Sequence, residues 1–149
     1  MFTNQRFDNW QLKQSTLNGL QSLGWEKATQ VQRDTVPIAL DGNDVIGQAR
    51  TGSGKTGAFG IPIIESCQPT RKLQALILTP TRELANQVSK EINAIQGDSG
   101  LVIETVYGGT DIEKQARKLN DGVDVIVGTP GRVMDMTKRK FIDLSSPTI

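Results

Sequence analysis

Eight consecutive residues, Ala49-Arg50-Thr51-Gly52-Ser53-Gly54-Lys55-Thr56, have the types and spacing of a phosphate cradle, with alanine at the position of the pattern's first glycine. The glycines let the backbone wrap closely round an anion with its N–H groups, and a helix opening at Lys55 would offer its positive end to the same group. Lys55 supplies a mobile charge for the outer phosphates of a triphosphate. The hydroxyl of Thr56 can coordinate a Mg²⁺ ion that bridges them. The plain alternative is a glycine turn followed by an accidental Lys-Thr pair, which the expected placement between a strand and a helix makes the poorer reading. The loop alone does not select a base: a polymer translocase, a small-molecule kinase, a transporter ATPase and a GTPase could all carry it.

Upstream lies Gly24-Trp25-Glu26-Lys27-Ala28-Thr29-Gln30-Val31-Gln32, with Phe7 seventeen positions before Gly24. The Gln32 amide donates and accepts at once, which matches the adjacent acceptor and donor on an adenine edge, and an aromatic ring such as Phe7 can stack on a base. Composition alone is equally satisfied by a capped helix with a surface glutamine and two core aromatics. Downstream, Pro80-Thr81-Arg82-Glu83-Leu84-Ala85, Gly108-Gly109-Thr110 and Thr129-Pro130-Gly131-Arg132 each follow a strand-like run and open a helix-like one. Helix starts offer free amides to anions, Arg82 and Arg132 add charge, and ligands of parallel α/β sheets sit at the carboxyl ends of the strands. Any one of the three reads as simple helix capping. Three in succession suit the backbone of a nucleic acid better than one small substrate.

The elements that must position these residues are legible as short apolar runs: Asp44–Gly47, Ala75–Leu78, Leu101–Val106 and Val123–Val127 read as strands. Two are nearly continuous Ile/Val/Leu, which suits a parallel sheet covered by helices. Leu84, Val88, Ile92 and Ile95 form one stripe of a helix over Thr81–Ile95 that Gly97 stops. A further helix opens at Thr110-Asp111-Ile112-Glu113, where Thr110 is the expected cap and Glu113 can reach back; Ile112, Ala116 and Leu119 form its buried face, and Asn120-Asp121-Gly122 ends it. Leu17, Leu20 and Leu23 mark a short helix ended by Gly24, and Thr29 caps a second running toward Leu40 with an interruption near Pro37. A helix from Lys55 should kink or end early at Pro62. Gln68–Lys72 is a surface connection, and Ser145–Ile149 looks like the approach to a fifth strand, as expected of a fragment.

The 149 residues are the size of one domain, and 17 Lys and Arg against 16 Asp and Glu leave a net charge of +1, so a nucleic-acid site must be local. Apolar residues make up 36% and no run is long enough to span a bilayer; Met1–Leu20 carries charges and lacks the apolar core of a secretory signal. One cysteine and no histidine exclude an internal disulfide, a zinc finger and a Ser-His-Asp hydrolase. What survives is phosphate chemistry run by backbone amides, Lys and Mg²⁺, or a module that only binds.

Taken in order along the chain, these motifs resemble the first RecA-like domain of a DEAD-box RNA helicase. Gly24–Gln32 with Phe7 is similar to the family's Q motif, Ala49–Thr56 to motif I, Pro80–Ala85 to motif Ia, Gly108-Gly109 to the GG motif, and Thr129–Arg132 to motif Ib. The resemblance covers essentially all of residues 1–149, with 1–42 as a helical preface. It implies an α/β P-loop NTPase domain, ATP and Mg²⁺ as cofactors, Gln32 reading adenine, Phe7 stacking on it, and Trp25 and Lys27 near the base. Ala49, Arg50, Thr51, Gly52, Ser53 and Gly54 would wrap the phosphates, with Lys55 and Thr56 as the catalytic pair and Thr56 on the metal. Pro80, Thr81, Arg82, Gly108, Gly109, Thr129, Pro130, Gly131 and Arg132 would contact single-stranded or duplex RNA on its sugar-phosphate backbone, without sequence preference. The cell compartment implied is the cytoplasm, with no membrane partner. Trp25 stands where the family usually has Phe, and Ala28 where it has Pro. The Asp-Glu-Ala-Asp carboxylates, the Ser-Ala-Thr motif and the second RecA-like domain with its arginine fingers fall outside the 149 residues. The expectation for this piece is therefore weak nucleotide binding with negligible turnover. On the residues alone, a kinase or GTPase sharing only the P-loop, or a non-catalytic RNA-binding module, stays open.

Overall fold

The computed structural model describes residues 2–147 and 149, in two compact units: residues 1–66 with 91–99, and residues 67–90 with 100–149.

In the first unit, β1 (Phe2–Arg6) pairs antiparallel with β2 (Lys27–Thr29), with Phe2 opposite Thr29 and Arg6 opposite Lys27. Sequence reasoning expects only helices there; the ladder brings the Phe7 turn beside Gly24–Thr29, and Phe7 N–H donates to Glu26 O at 3.1 Å. Helix α1 (Gln14–Ser22) stops before Gly24, whose φ of +74° is the left-handed conformation that ends a helix. Its start is tied to the end of α3, since Lys13 N–H donates to Glu65 Oε1 at 2.8 Å. Helix α2 (Gln30–Leu40) runs through Pro37 rather than breaking. Pro37 lies on the exposed face, where water can serve the carbonyl its missing N–H leaves unpaired. Helix α3 (Lys55–Ser66) likewise continues past Pro62, amid buried Ile61, Ile63 and Ile64. The core joins Leu20, Val36, Ile61 and Ile64 with Ile92 and Ile95, the last turns of α4 (Arg82–Gln96). Glycine at 60 permits that approach: a Cβ there would stand 3.3 Å from Ile92.

One expectation fails here. Asp44–Gly47 forms no strand; Ile46 is 100% exposed and Val45 38%. A strand exists only where a neighbour accepts its ladder, and among the described residues none runs alongside this one.

The second unit holds a parallel sheet in the order β3 (Ala75–Leu78), β5 (Val125–Gly128), β4 (Ile103–Val106), with Ala75 and Ile103 both opposite Val125. All of β5 is buried, as its continuous apolar run predicts. On one face Ile126 and Val106 pack with Val133 and Met136 of α6 (Pro130–Lys138), and Ile112, Ala116 and Leu119 of α5 (Ile112–Asn120) close the cluster. Ala85 and Val88 on the first turns of α4 are buried, whereas Leu84, expected on the same stripe, stays 40% exposed. The cap of α5 is Asp111, which accepts from Glu113 N–H at 3.0 Å, and not Thr110, whose hydroxyl donates to Tyr107 O.

The connection Gln68–Lys72 is anchored rather than loose. The fully buried Asp124 carboxylate accepts from the N–H groups of Thr70 (3.1 Å), Arg71 (2.8 Å) and Val102 (2.9 Å) and from Gln74 Nε2 (2.9 Å). Of the segment Ser145–Ile149, Thr148 lies outside the described residues, as does Met1. Ile149 pairs along the outer side of β3, donating to Gln74 O at 3.3 Å and accepting from Leu76 N–H at 2.9 Å.

Candidate functional site

In the first unit the phosphate-loop residues are assembled at the start of α3. Gly52 (φ +79°) and Gly54 (φ +91°) take backbone conformations that side-chain-bearing residues rarely adopt, and the helix begins at Lys55. Ser53 N–H and its hydroxyl both donate to Arg50 O, the former at 3.1 Å, which folds the loop on itself. Thr51, Gly52 and Lys55 are exposed, so a phosphate chain can reach this part of the loop. A Cβ at Gly54 would come within 2.6 Å of Gln32 Nε2 and 2.7 Å of Thr29 Oγ1, so glycine is demanded by space as well as by φ. These features fit a triphosphate with its Mg²⁺: free amides at a helix start, one lysine, and a hydroxyl at Thr56.

Gln32 lies against this loop. Only 2% exposed, it accepts from Thr29 N–H through Oε1 at 3.0 Å, which caps α2, and donates from Nε2 to Gly54 O at 3.1 Å. An amide side chain has two lone pairs on oxygen and two N–H donors, so one of each is left for a base edge. Phe7 is 2% exposed and meets Trp10 edge to face at 5.6 Å. Phe7, Gly24, Trp25 and Glu26 line one cavity of about 540 Å³. Lys27 is exposed on β2. A second cleft of about 430 Å³ runs between Val31 and Thr35 of α2 and the Ile46–Ala49 segment.

Glu91 was not singled out by sequence reasoning. Partial burial pushes its carboxyl above the usual range, and a hydrogen bond from the Thr56 side chain pulls it back. A hydroxyl that binds a metal through its lone pair must place its proton elsewhere, and Glu91 is the acceptor at hand. No spacing rule links residues 56 and 91; only the packing of α4 does.

In the second unit, the three motifs stand at the carboxyl ends of β3, β5 and β4. Thr81 Oγ1 accepts from Leu84 N–H at 3.2 Å at the start of α4, and Pro130 occupies the first turn of α6. Gly109 has φ +83°, and a Cβ there would lie 3.4 Å from Arg82 Nη1. Pro80, Thr81, Arg82, Gly108, Gly109, Pro130 and Gly131 are exposed, while Thr129 and Arg132 are half-buried. Arg82 lies over the Tyr107 ring at 4.8 Å. Arg132 donates to Thr110 O from both terminal nitrogens at 3.2 Å and to Gln115 Oε1 at 3.2 Å, so part of its donor set already serves the protein. No group of three or more Asp, Glu or Cys is placed to hold a metal among the described residues, and no helix there is long and apolar enough to cross a membrane.

Comparison with known proteins identifies the family and the fold. The pattern of the family described as DEAD/DEAH box helicase matches residues 29–148. An ATP-dependent RNA helicase, CshA of Listeria monocytogenes serovar 1/2a, is 43% identical over 140 residues, which is 93% of this chain and 27% of the relative. The crystal structure of a DEAD box protein from the hyperthermophile Methanococcus jannaschii superposes with a TM-score of 0.90 at 40% identity, over 95% of this chain and 39% of that one. That of a hypothetical ATP-dependent RNA helicase from Sulfolobus tokodaii gives 0.82 at 36%, over 91% and 39%. The chain thus spans well under half the length of each. The α/β architecture, a parallel three-stranded sheet flanked by helices, is the RecA-like one of such proteins, and the chain belongs to the DEAD/DEAH box helicase family.

Proposed function

We propose that residues 1–149 serve as the N-terminal RecA-like ATP-binding domain of an ATP-dependent RNA helicase, with residues 1–42 as the base-reading preface. The observation that carries this reading is the position of Gln32, hydrogen-bonded to the phosphate loop at Gly54 while keeping one donor and one acceptor for an adenine edge. Phe7 and Trp25 border the base, Lys27 stands near it, and Ala49 to Gly54 present amides to the phosphates. Lys55 holds the outer phosphates. Thr56 hydrogen-bonds through its hydroxyl to Glu91 and would hold Mg²⁺ through a lone pair on the same oxygen. Mg²⁺, when bound, neutralises charge on the phosphate oxygens.

RNA is met through its backbone by Pro80, Thr81, Arg82, Gly108, Gly109, Thr129, Pro130, Gly131 and Arg132, a mostly exposed set whose polar groups are threonine hydroxyls, two arginines and the N–H groups of the residues other than proline. In a longer parent, closure of a second RecA-like domain on nucleotide and RNA would couple ATP hydrolysis to local strand separation in the cytoplasm. The 149 residues by themselves bind nucleotide weakly and turn it over negligibly, since among the described residues no group of three carboxylates or thiols is placed to complete a metal site.

Titration with a fluorescent adenine nucleotide and Mg²⁺ tests the reading. Adenine nucleotides should compete and guanine nucleotides should not, and Lys55→Ala should abolish binding while leaving the melting temperature in place, since Lys55 is exposed. Equal competition by GTP would sink it in favour of another P-loop family.

A further inference from the structure

The sequence presents the loops after β3, β4 and β5 as three separate anion cradles, but the structure ties them into one unit through a residue that no motif contains. Gln115, half-buried on the first turns of α5, donates from Nε2 to Tyr107 O at 3.1 Å and to Thr110 Oγ1. Its Oε1 accepts from Arg132 Nη1 at 3.2 Å. Arg132 in turn donates to Thr110 O, and Thr110 donates to Tyr107 O at 3.2 Å. Tyr107 carries Arg82 over its ring. One amide therefore links the Gly108-Gly109 loop to the arginine after β5, and the tyrosine it holds by its carbonyl supports the arginine after β3.

The chemistry is specific to glutamine. The contact needs an acceptor for a guanidinium and a donor for a carbonyl on the same end group, at the reach of two methylenes; glutamate lacks the donor, leucine lacks both, and asparagine is one methylene short. The loop it holds needs holding. Gly108 has nothing within 4 Å of its Cβ position and Gly109 lies at φ +83°, so two glycines here are exposed to solvent and free to sample many conformations without a tether. Both residues are exposed, at the edge where the proposed function places a sugar-phosphate chain.

We infer that Gln115 is a positioning residue for RNA: it holds the Gly108-Gly109 amides and Arg132 in a single preformed arrangement, so that the loop is ordered before the phosphates arrive. The inference rests on the reading of this edge as the RNA site.

Two measurements on the 149-residue chain test it. Binding of a fluorescent single-stranded homopolymer RNA, followed by anisotropy across a salt series, should be about tenfold weaker for Gln115→Leu, the scale of one charge-assisted hydrogen bond. The salt slope should fall by about 0.7, one single-strand phosphate contact. Nucleotide affinity should not change. Gln115→Leu should cost less in an Arg132→Ala background than in the unsubstituted chain, because only the loop contacts to Tyr107 and Thr110 remain to be lost, and Gln115→Glu, which keeps the arginine contact, should recover part of the loss. In the RNA-free protein, hydrogen exchange at Gly108 and Gly109 should accelerate in Gln115→Leu while the buried strand β5 stays protected. Wild-type-like RNA affinity of folded Gln115→Leu, or unchanged exchange at the two glycines, overturns the inference alone. Absence of RNA binding by the unsubstituted chain at low salt overturns it together with the RNA reading of this edge.

Discussion

Replacing Gln32 separates two tasks that the structure assigns to one side chain. Gln32→Ala removes an acceptor from Thr29 N–H and a donor from Gly54 O, both in a setting where the side chain is 2% exposed. Each lost bond leaves a buried polar group and costs about 1–2 kcal/mol, for a total of about 2–4 kcal/mol. For a chain of this size that lowers the melting temperature by roughly 5–15 °C, from about 2–4 °C per kcal/mol. Gln32→Glu keeps the acceptor that caps α2 but turns a second oxygen toward the Gly54 carbonyl, so it should recover some of the stability and none of the base recognition. Competition against a fluorescent nucleotide should show adenine over guanine selectivity falling by about 10- to 100-fold in both variants, the factor that corresponds to about 1–3 kcal/mol for a polar group left unpaired. Thermal melts without nucleotide should order wild type above Glu above Ala. Selectivity retained in a folded Gln32→Ala protein would refute the argument.

Other substitutions address other parts of the structure. Asp124→Ala strips four donors of their common buried acceptor and should cost about 3–5 kcal/mol in chemical denaturation, with Asp124→Asn intermediate. Gly54→Ala should abolish nucleotide binding, since its Cβ would fall 2.6 Å from Gln32 Nε2 at a positive φ; a side-chain-tolerant site would bind normally. Glu91→Gln should raise the melting temperature at neutral pH. Partial burial raises this carboxyl above its ordinary value of 4.5, so the folded state loses stability as pH rises from there through the raised value, and the variant's advantage should vanish below it. An unchanged difference between pH 3 and pH 7 melts, on the order of the ordinary carboxyl range, would contradict that assignment.

Much of this arrangement is readable from residue order because it rests on local rules. The apolar run Ala75–Leu78, the Val88-Ile92-Ile95 stripe and the left-handed Gly24 and Gly54 need only periodicity and glycine's freedom to be found. What escapes is non-local. Asp44–Gly47 has the composition of a strand, but a ladder needs a partner that composition cannot supply. The β1–β2 ladder joins residues more than twenty positions apart, and Phe2–Arg6 and Lys27–Thr29 carry no alternation of apolar and polar residues that would mark them as strands. Thr110 and Asp111 are both good caps, and the choice of Asp111 follows from Thr110 being drawn to Tyr107. Asp124, Gln115 and Glu91 carry no motif at all; each acts through partners brought by packing from distant parts of the chain.

The strand order β3, β5, β4 also fixes a length. Neighbouring parallel strands stand about 4.8 Å apart, so the loops bearing Thr81, Thr129 and Gly108 rise from points spread over roughly 10 Å, in that sequence. Hydrogen bonds between strands hold this interval, whatever the loops do. An extended polyanion crossing that edge would touch only a couple of its repeats, which makes the sheet a ruler of footprint and leaves loop chemistry to set grip.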